Sequence, residues 1–257
     1  MTATLVPSRH GHVAELRFAD GQFNYASHHL LRMIADELDR VDADPDIRCT
    51  VLCAEGKSFC AGANLAGDSE IVGADGMDSI SQLYTQARRI FARKKPMVAA
   101  VHGAAIGAGL GLALTADFRV AGPATRFSAN FVRLGFHPGF GLTHTLPRLI
   151  GAQRASWMFL SAARIKPADA LAWGLADSLA DDGEVLAAAH TMAAEIAANA
   201  PLALIAVRAT ETAGLDAALA AAMAHEHAEQ SVLKATADYA EGVASVFERR
   251  EAQFTGQ

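Results

Sequence analysis

The sequence contains few cysteines, and those present are not arranged for disulfides or for a metal. Cys49, Cys53 and Cys60 are an odd number, and two of them lie in an apparent strand, so they do not describe a disulfide framework. Histidine and cysteine at zinc-finger spacing are also absent, and we therefore expect no metal site. We interpret the three cysteines as small buried apolar residues of a reducing compartment.

An excess of basic residues and a long apolar run are both missing. The 22 lysines and arginines are outnumbered by 28 acidic residues, so the net charge is −6 with histidine neutral. No basic tract indicates binding to nucleic acid or to an anionic membrane. No stretch reaches about 18 consecutive apolar residues, and residues 1–10 have no apolar signal core. We expect a cytoplasmic protein without a nucleic-acid or membrane partner.

What is present is a pattern of apolar segments that predicts an α/β fold. Val13–Phe18, Arg48–Ala54 and Met97–Val101 have the composition of strands. Leu30–Val41 keeps apolar residues at helical spacing, and Ser27 before it is a plausible N-cap. Strands separated by helices indicate parallel ββα units.

The composition changes towards the C-terminal end. From Glu184 the sequence becomes an alanine-rich helical pattern, and Leu215–Phe254 has the charge alternation and apolar spacing of exposed or interface helices. We therefore divide the chain into an α/β core, residues 1–199, and a helical region, residues 200–257.

A glycine-rich stretch, HGAAIGAGLGLAL at His102–Leu114, follows the strand Met97–Val101. Strand, glycine turn and helix start together can hold negative charge, because a first helical turn presents unpaired N–H groups. A dinucleotide fingerprint is rejected, since the spacing is GxGxG and no acidic residue lies near Phe127. A phosphate loop is rejected because Gly-Lys-Ser/Thr is missing here. When this stretch is considered by itself, close packing of the strand against the helix is the alternative explanation of its glycines.

A second stretch, GKSFCAGANL at Gly56–Leu65, follows another buried strand. The two stretches together resemble the paired loops of the crotonase superfamily, also called the enoyl-CoA hydratase/isomerase family. The resemblance extends from Val13 to Phe254. It implies a spiral of ββα units that binds an acyl-CoA thioester, with C-terminal helices that build a homotrimer or a dimer of trimers. Coenzyme A would be part of the substrate, and no separate cofactor is implied.

Carried over by position, the resemblance assigns the oxyanion hole to the backbone N–H groups of Ala63 and Ala108. Alanine at 108 replaces the usual glycine of the family, and Asn64 replaces the commoner aspartate. The residues that the resemblance places at the substrate or CoA are Gln22, Phe23, Ala61, Asn64, Leu65, Ala104, Gly107, Gly111 and Phe131.

Two of these positions depart from the family's hydratases. Those enzymes deliver water with two glutamates, whose places are taken here by Gly111 and Phe131. Neither residue can transfer a proton, so we expect ordinary two-glutamate hydration to be absent.

Other acid–base groups are few. His137, in a loop after Phe131, is our candidate catalytic residue, although a histidine satisfied by loop backbone is slightly favoured for a lone histidine. Asp68 and Glu70 have the composition of a solvated surface loop, and Tyr84 is interpreted as core packing.

Two functions therefore stay open. The first is a crotonase-type enzyme that stabilises an enolate or tetrahedral intermediate, as a lyase, isomerase or hydrolase. The alternative is a catalytically weak acyl-CoA-binding member of the family.

Overall fold

The computed structural model describes residues 3–63 and 78–257 and contains two parallel or mixed sheets surrounded by helices. The strands are β1 (Thr4–His10), β2 (Val13–Ala19), β3 (Cys49–Ala54), β4 (Met97–Val101), β5 (Ala104–Ile106), β6 (Phe118–Ala121), β7 (Arg126–Ser128) and β8 (Ser178–Leu179). The helices are α1 (His28–Ala43), α2 (Ser79–Phe91), α3 (Ala108–Thr115), α4 (Leu142–Ile150), α5 (Ala152–Ser161), α6 (Pro167–Trp173), α7 (Val185–Ala197), α8 (Pro201–Glu211), α9 (Leu215–Lys234) and α10 (Ala237–Glu248). A 3₁₀ helix spans Asn130–Leu134.

The larger sheet has the strand order β1-β2-β3-β4-β6-β8. β1 and β2 are antiparallel, and every later pair in this sheet is parallel. The smaller sheet pairs β5 with β7 in parallel. Parallel sheets are buried on both faces, so their strands are apolar on both sides. The continuous buried runs of β3 and β4 agree with this rule.

The two faces of the larger sheet bury different helices. Leu16, Phe18 and Leu52 belong to a core shared with α1, α2 and α3. Cys49 and Cys53 lie in a second core, against the alanine face of α7. These cysteines are free thiols, and burial raises the pKa of each to about 12, so they act as small apolar side chains.

Most of the predicted elements are confirmed, with changes at their ends. Ser27 caps α1, since its Oγ accepts a hydrogen bond from the Leu30 N–H at 3.1 Å. The strand β1 was not predicted, because it is an edge strand with mostly exposed residues and no apolar alternation. The predicted helical segment Leu215–Phe254 contains two helices separated by a break at Ala235–Thr236.

A buried ion cluster attaches α8 to the sheet. The Asp117 carboxylate accepts from Arg93 Nη2 at 2.6 Å, from Arg208 Nε at 3.1 Å and from the Met97 N–H at 2.8 Å. Burial opposes ionisation of Asp117, but the two arginines and the N–H donor outweigh it, so its pKa lies below the ordinary value. Helices α9 and α10 continue from there and pack on α2, α4 and the 3₁₀ helix.

No single helix among the described residues is long and apolar enough to cross a membrane. The pair α7 and α8 passes that test of length and composition only when taken together, and the two are bent by 103°.

Candidate active site

The two glycine-rich loops are held in register by backbone hydrogen bonds. The Cys60 N–H donates to Ala104 O at 2.9 Å, and the Ile106 N–H donates to Cys60 O at 3.0 Å. Cys60 and Ala105 therefore pair as in a parallel sheet. Each loop continues three residues beyond this pair, to Ala63 and to Ala108, so the pairing delivers both residues to the same end of the ladder.

Glycine is required where the second loop enters α3. Gly107, the N-cap, has a φ of 55°, in the region that favours glycine. A Cβ on Gly109 would lie 2.8 Å from Cys60 Cβ and 2.7 Å from its carbonyl carbon. The absence of this Cβ lets the first turn of α3 approach the other loop. Close packing therefore explains Gly109, and this agrees with the resemblance to the family's paired loops.

The N–H groups of Ala63 and Ala108 have no hydrogen-bond acceptor among the described residues. Ala108 is the first residue of α3, where an N–H has no intrahelical acceptor. Between described residues, no backbone hydrogen bond is donated by either N–H. Both residues line one cavity of about 400 Å³.

The cavity is mostly apolar. Helices α2, α9 and α10 close it on the sides away from the two loops. Its described lining contains no aspartate, glutamate or histidine. The apolar lining residues are Ile80, Leu83, Phe131, Phe136, Phe140, Ala240 and Val243, and the side chains that carry polar atoms are Ser79, Tyr84, Gln230, Lys234 and Tyr239.

The ring of Phe140 covers Gly111. A Cβ on Gly111 would lie 2.6 Å from Phe140 Cγ and 2.8 Å from Phe140 Cβ, so no larger side chain fits at this position. Phe140 is almost fully buried and lines the cavity in front of this helix. Gly111, a predicted substrate contact, is therefore not among the lining residues.

Glu226 fixes the backbone on the far side of Phe140. Its carboxylate accepts from the Gly141 N–H at 2.7 Å, the Thr143 N–H at 2.9 Å and the Thr143 hydroxyl at 2.6 Å. These bonds satisfy the first turn of α4 and hold Phe140 in its positive-φ conformation of 65°. Burial raises the pKa of Glu226, and its hydrogen bonds only partly offset that effect. Sequence patterns gave no signal for this residue.

Tyr84 packs in the main core, as predicted, and it also lines the cavity. Its hydroxyl donates to Gln230 Oε1 at 2.9 Å, and Gln230 Nε2 donates to the carbonyl of His137 at 2.9 Å. Burial raises the pKa of Tyr84 well above its ordinary value, so the phenol stays protonated.

The predicted catalytic residue His137 is not among the lining residues of the cavity. Its Nδ1 lies 2.7 Å from the carbonyl of Pro138, and its ring meets His225 edge-on with centroids 5.8 Å apart. The structure therefore gives His137 the backbone-bound environment that we weighed as its alternative. Asn64, Leu65, Asp68 and Glu70 lie outside the described residues.

The predicted CoA-binding turn packs against the first loop. The Lys57 N–H donates to Gln22 O at 2.9 Å, and the Ala61 N–H donates to Phe23 O at 2.9 Å. Phe23 is 47% exposed on the outer side of this turn. Gln22 and Phe23 therefore lie against the first loop, and neither they nor the loop residues Ala61, Ala104 and Gly107 are among the described lining of the apolar cavity.

The family model for enoyl-CoA hydratase/isomerase matches residues 8–257. The chain belongs to this family, within the crotonase superfamily. It is 34% identical over 235 residues to the 2,3-dehydroadipyl-CoA hydratase of Escherichia coli, covering 91% of each chain.

Two further comparisons agree with this membership. The probable enoyl-CoA hydratase EchA14 of Mycobacterium tuberculosis is 42% identical over 145 residues, and this match spans 56% of the chain and only 57% of that relative. A solved enoyl-CoA hydratase/isomerase structure from Pseudoalteromonas atlantica superimposes with a TM-score of 0.87 at 28% identity, covering 98% of this chain and 99% of that one. The crotonase-type α/β fold is thereby confirmed.

Proposed function

We propose that the protein acts on an acyl-CoA thioester and stabilises negative charge on the thioester oxygen with the N–H groups of Ala63 and Ala108. The observation that carries the proposal is that both N–H groups lie at one cavity and neither is used by the described backbone. Donors fixed before the charge develops need no reorganisation during the reaction. The N-terminal end of α3 adds favourable electrostatic potential at Ala108.

The reaction differs from two-glutamate hydration. Phe140 occupies the space in front of Gly111, and Phe131 contributes its ring to the cavity wall. Adding water to a double bond requires a group that takes and returns a proton. The described lining offers only the protonated phenol of Tyr84 in a buried position, which can donate a proton to an enolate but is a poor base. We therefore favour lyase, isomerase or hydrolase chemistry through an enolate or tetrahedral intermediate.

The acyl group is bulky and apolar, and an aromatic ring suits the cavity. Three phenylalanines, Phe131, Phe136 and Phe140, line the volume beyond the two donors. Burying an apolar acyl group there contributes roughly 25 cal/mol per Å² of apolar surface, whereas a short acyl group would leave part of the 400 Å³ unfilled.

A catalytically weak acyl-CoA-binding protein is the second candidate. The Tyr84 hydroxyl is already hydrogen-bonded to Gln230, and this observation favours binding without turnover.

The test is a panel of acyl-CoAs of increasing size, with binding followed by calorimetry and products by chromatography. Ala108→Pro removes one donor at the first helical position, which tolerates proline. Ala152→Pro is the matched control, because Ala152 also begins a helix after a positive-φ glycine and is exposed.

We expect Ala108→Pro to lower turnover by about 10²–10³ and Ala152→Pro to leave it unchanged. Binding without product in the wild type would favour the second candidate. Full activity of a folded Ala108→Pro variant would refute the oxyanion hole.

A further inference from the structure

Two histidines and a glutamate meet on a side of the molecule that shares no residue with the cavity. His10 ends β1, Glu15 lies in β2, and His190 lies in α7. His10 and Glu15 are neighbours across the β1–β2 hairpin, whereas His190 lies 175 residues after Glu15 and is brought to them by the packing of α7 on the sheet. Sequence spacing could not have revealed this cluster.

The ligand atoms converge on a small volume. Glu15 Oε2 lies 2.6 Å from His190 Nε2 and 3.7 Å from His10 Nε2. All three atoms lie within 4.8 Å of one another, and the two imidazole rings are 4.6 Å apart. In a tetrahedral zinc site with bonds of about 2.0–2.2 Å, neighbouring ligand atoms are roughly 3.3 Å apart. The separations of 2.6 Å to at most 4.8 Å differ from that spacing by no more than about 1.5 Å.

The carboxylate is oriented for such a role. Arg17 donates to Glu15 Oε1 from Nη2 at 2.8 Å and from Nε at 3.0 Å, so Oε2 is the oxygen that faces both histidines. The Glu15 side chain is only 5% exposed. Outer partners that hold a ligating carboxylate are a regular part of metal sites.

We propose that His10, Glu15 and His190 bind a divalent transition-metal ion, with zinc as the representative. Two imidazoles and one carboxylate are the donors that zinc, nickel and copper accept, whereas magnesium and calcium prefer oxygen donors. Three protein ligands leave the fourth position for water. The bound ion would join the β1–β2 hairpin to α7 and stabilise the folded state, because the unfolded chain has no such arrangement.

The test is calorimetric titration of chelator-treated full-length protein with ZnCl₂ and, separately, with MgCl₂ at pH 7.5. His10→Gln and His190→Gln remove one ligand each from partly exposed positions. His29→Gln is the control, since His29 is an exposed histidine outside the cluster. A thermal unfolding series with and without ZnCl₂ is recorded for each variant.

We expect one zinc site in the wild type and in His29→Gln, with affinity at least tenfold lower in His10→Gln and in His190→Gln. Zinc should raise the unfolding temperature only where this site is intact, and magnesium should not bind. Absence of zinc binding in the wild type would overturn the proposal. Unchanged zinc affinity in folded His190→Gln would also overturn it. So would a wild-type affinity for magnesium equal to that for zinc.

Discussion

Replacing Gly111 with alanine should destabilise the protein, although alanine is ordinarily the better helix former. In the interior of α3, the exchange alone would add about 1 kcal/mol of stability. Here the new Cβ would lie 2.6 Å from Phe140 Cγ and 2.8 Å from Phe140 Cβ, whereas carbon atoms normally approach to about 3.5–4.0 Å. Rotating the ring cannot relieve a clash with Phe140 Cβ, so we take the upper end of the overpacking range, about 3 kcal/mol. The net loss is then about 2 kcal/mol.

A double-mutant cycle isolates this contact. Phe140→Gly removes both the ring and its Cβ and suits the φ of 65° at that position. In this background Gly111→Ala should stabilise by about 1 kcal/mol, which gives a coupling energy of about 3 kcal/mol.

The assay is urea unfolding followed by circular dichroism at one protein concentration, since association would shift the midpoint. A control cycle pairs Gly111→Ala with Leu38→Ala, because Leu38 lies in α1 and the atoms nearest to a Cβ on Gly111 all belong to Phe140. Additivity of the Gly111 and Phe140 changes within about 0.5 kcal/mol would show that Phe140 does not occupy the space in front of Gly111.

Four further outcomes are expected. Turnover of crotonyl-CoA should be at least about 10²-fold below that of a two-glutamate hydratase, because Gly111 and Phe131 transfer no proton. Comparable steady-state rates for the two enzymes would contradict this. Asp117→Asn should cost about 3 kcal/mol in urea unfolding, because the buried Arg93 and Arg208 lose the carboxylate that balances their charge. Because the folded pKa of Asp117 is depressed, its contribution to the free energy of unfolding is present above its ordinary pKa of 3.8 and is lost as pH falls below that value. Unfolding of the wild type and of Asp117→Asn, measured at decreasing pH, should therefore show a stability difference that shrinks in acid. His137→Ala should retain activity, because its ring lies outside the cavity lining; a loss near that of Ala108→Pro would restore it as the acid–base group. Light scattering at micromolar concentration should give a trimer or hexamer mass, and a monomer mass would refute the assembly.

The elements that surround the site could be predicted from the sequence because they depend on local pattern. Buried parallel strands have to be apolar on both faces, and β3 and β4 are continuous apolar runs. The two loops were noticed for their glycine-rich sequences after buried strands, and the donor role of Ala63 and Ala108 was assigned from the resemblance to the crotonase superfamily.

The cavity wall could not be predicted, because it depends on which side chains meet across distant segments. Nothing in the sequence near Phe140 indicates that its ring would cover Gly111. Helical periodicity placed Tyr84 on an apolar face of α2, but its partner Gln230 lies 146 residues further on. His137 was chosen because histidine is a common proton-transfer residue, and the direction of its ring depends on the conformation of its own loop.

The residues that line the cavity come from early and from late parts of the chain, so the cavity is complete only after the C-terminal helices have been synthesised. Ala63 and Ala108 are synthesised early, whereas the opposite wall, from Gln230 to Val243, leaves the ribosome more than a hundred residues later. Until then the nascent chain carries both donors beside an uncovered apolar surface. Acyl binding should therefore begin only when α9 and α10 have docked, and a fragment ending at residue 199 should fail to hold the ligand even if its sheet is complete.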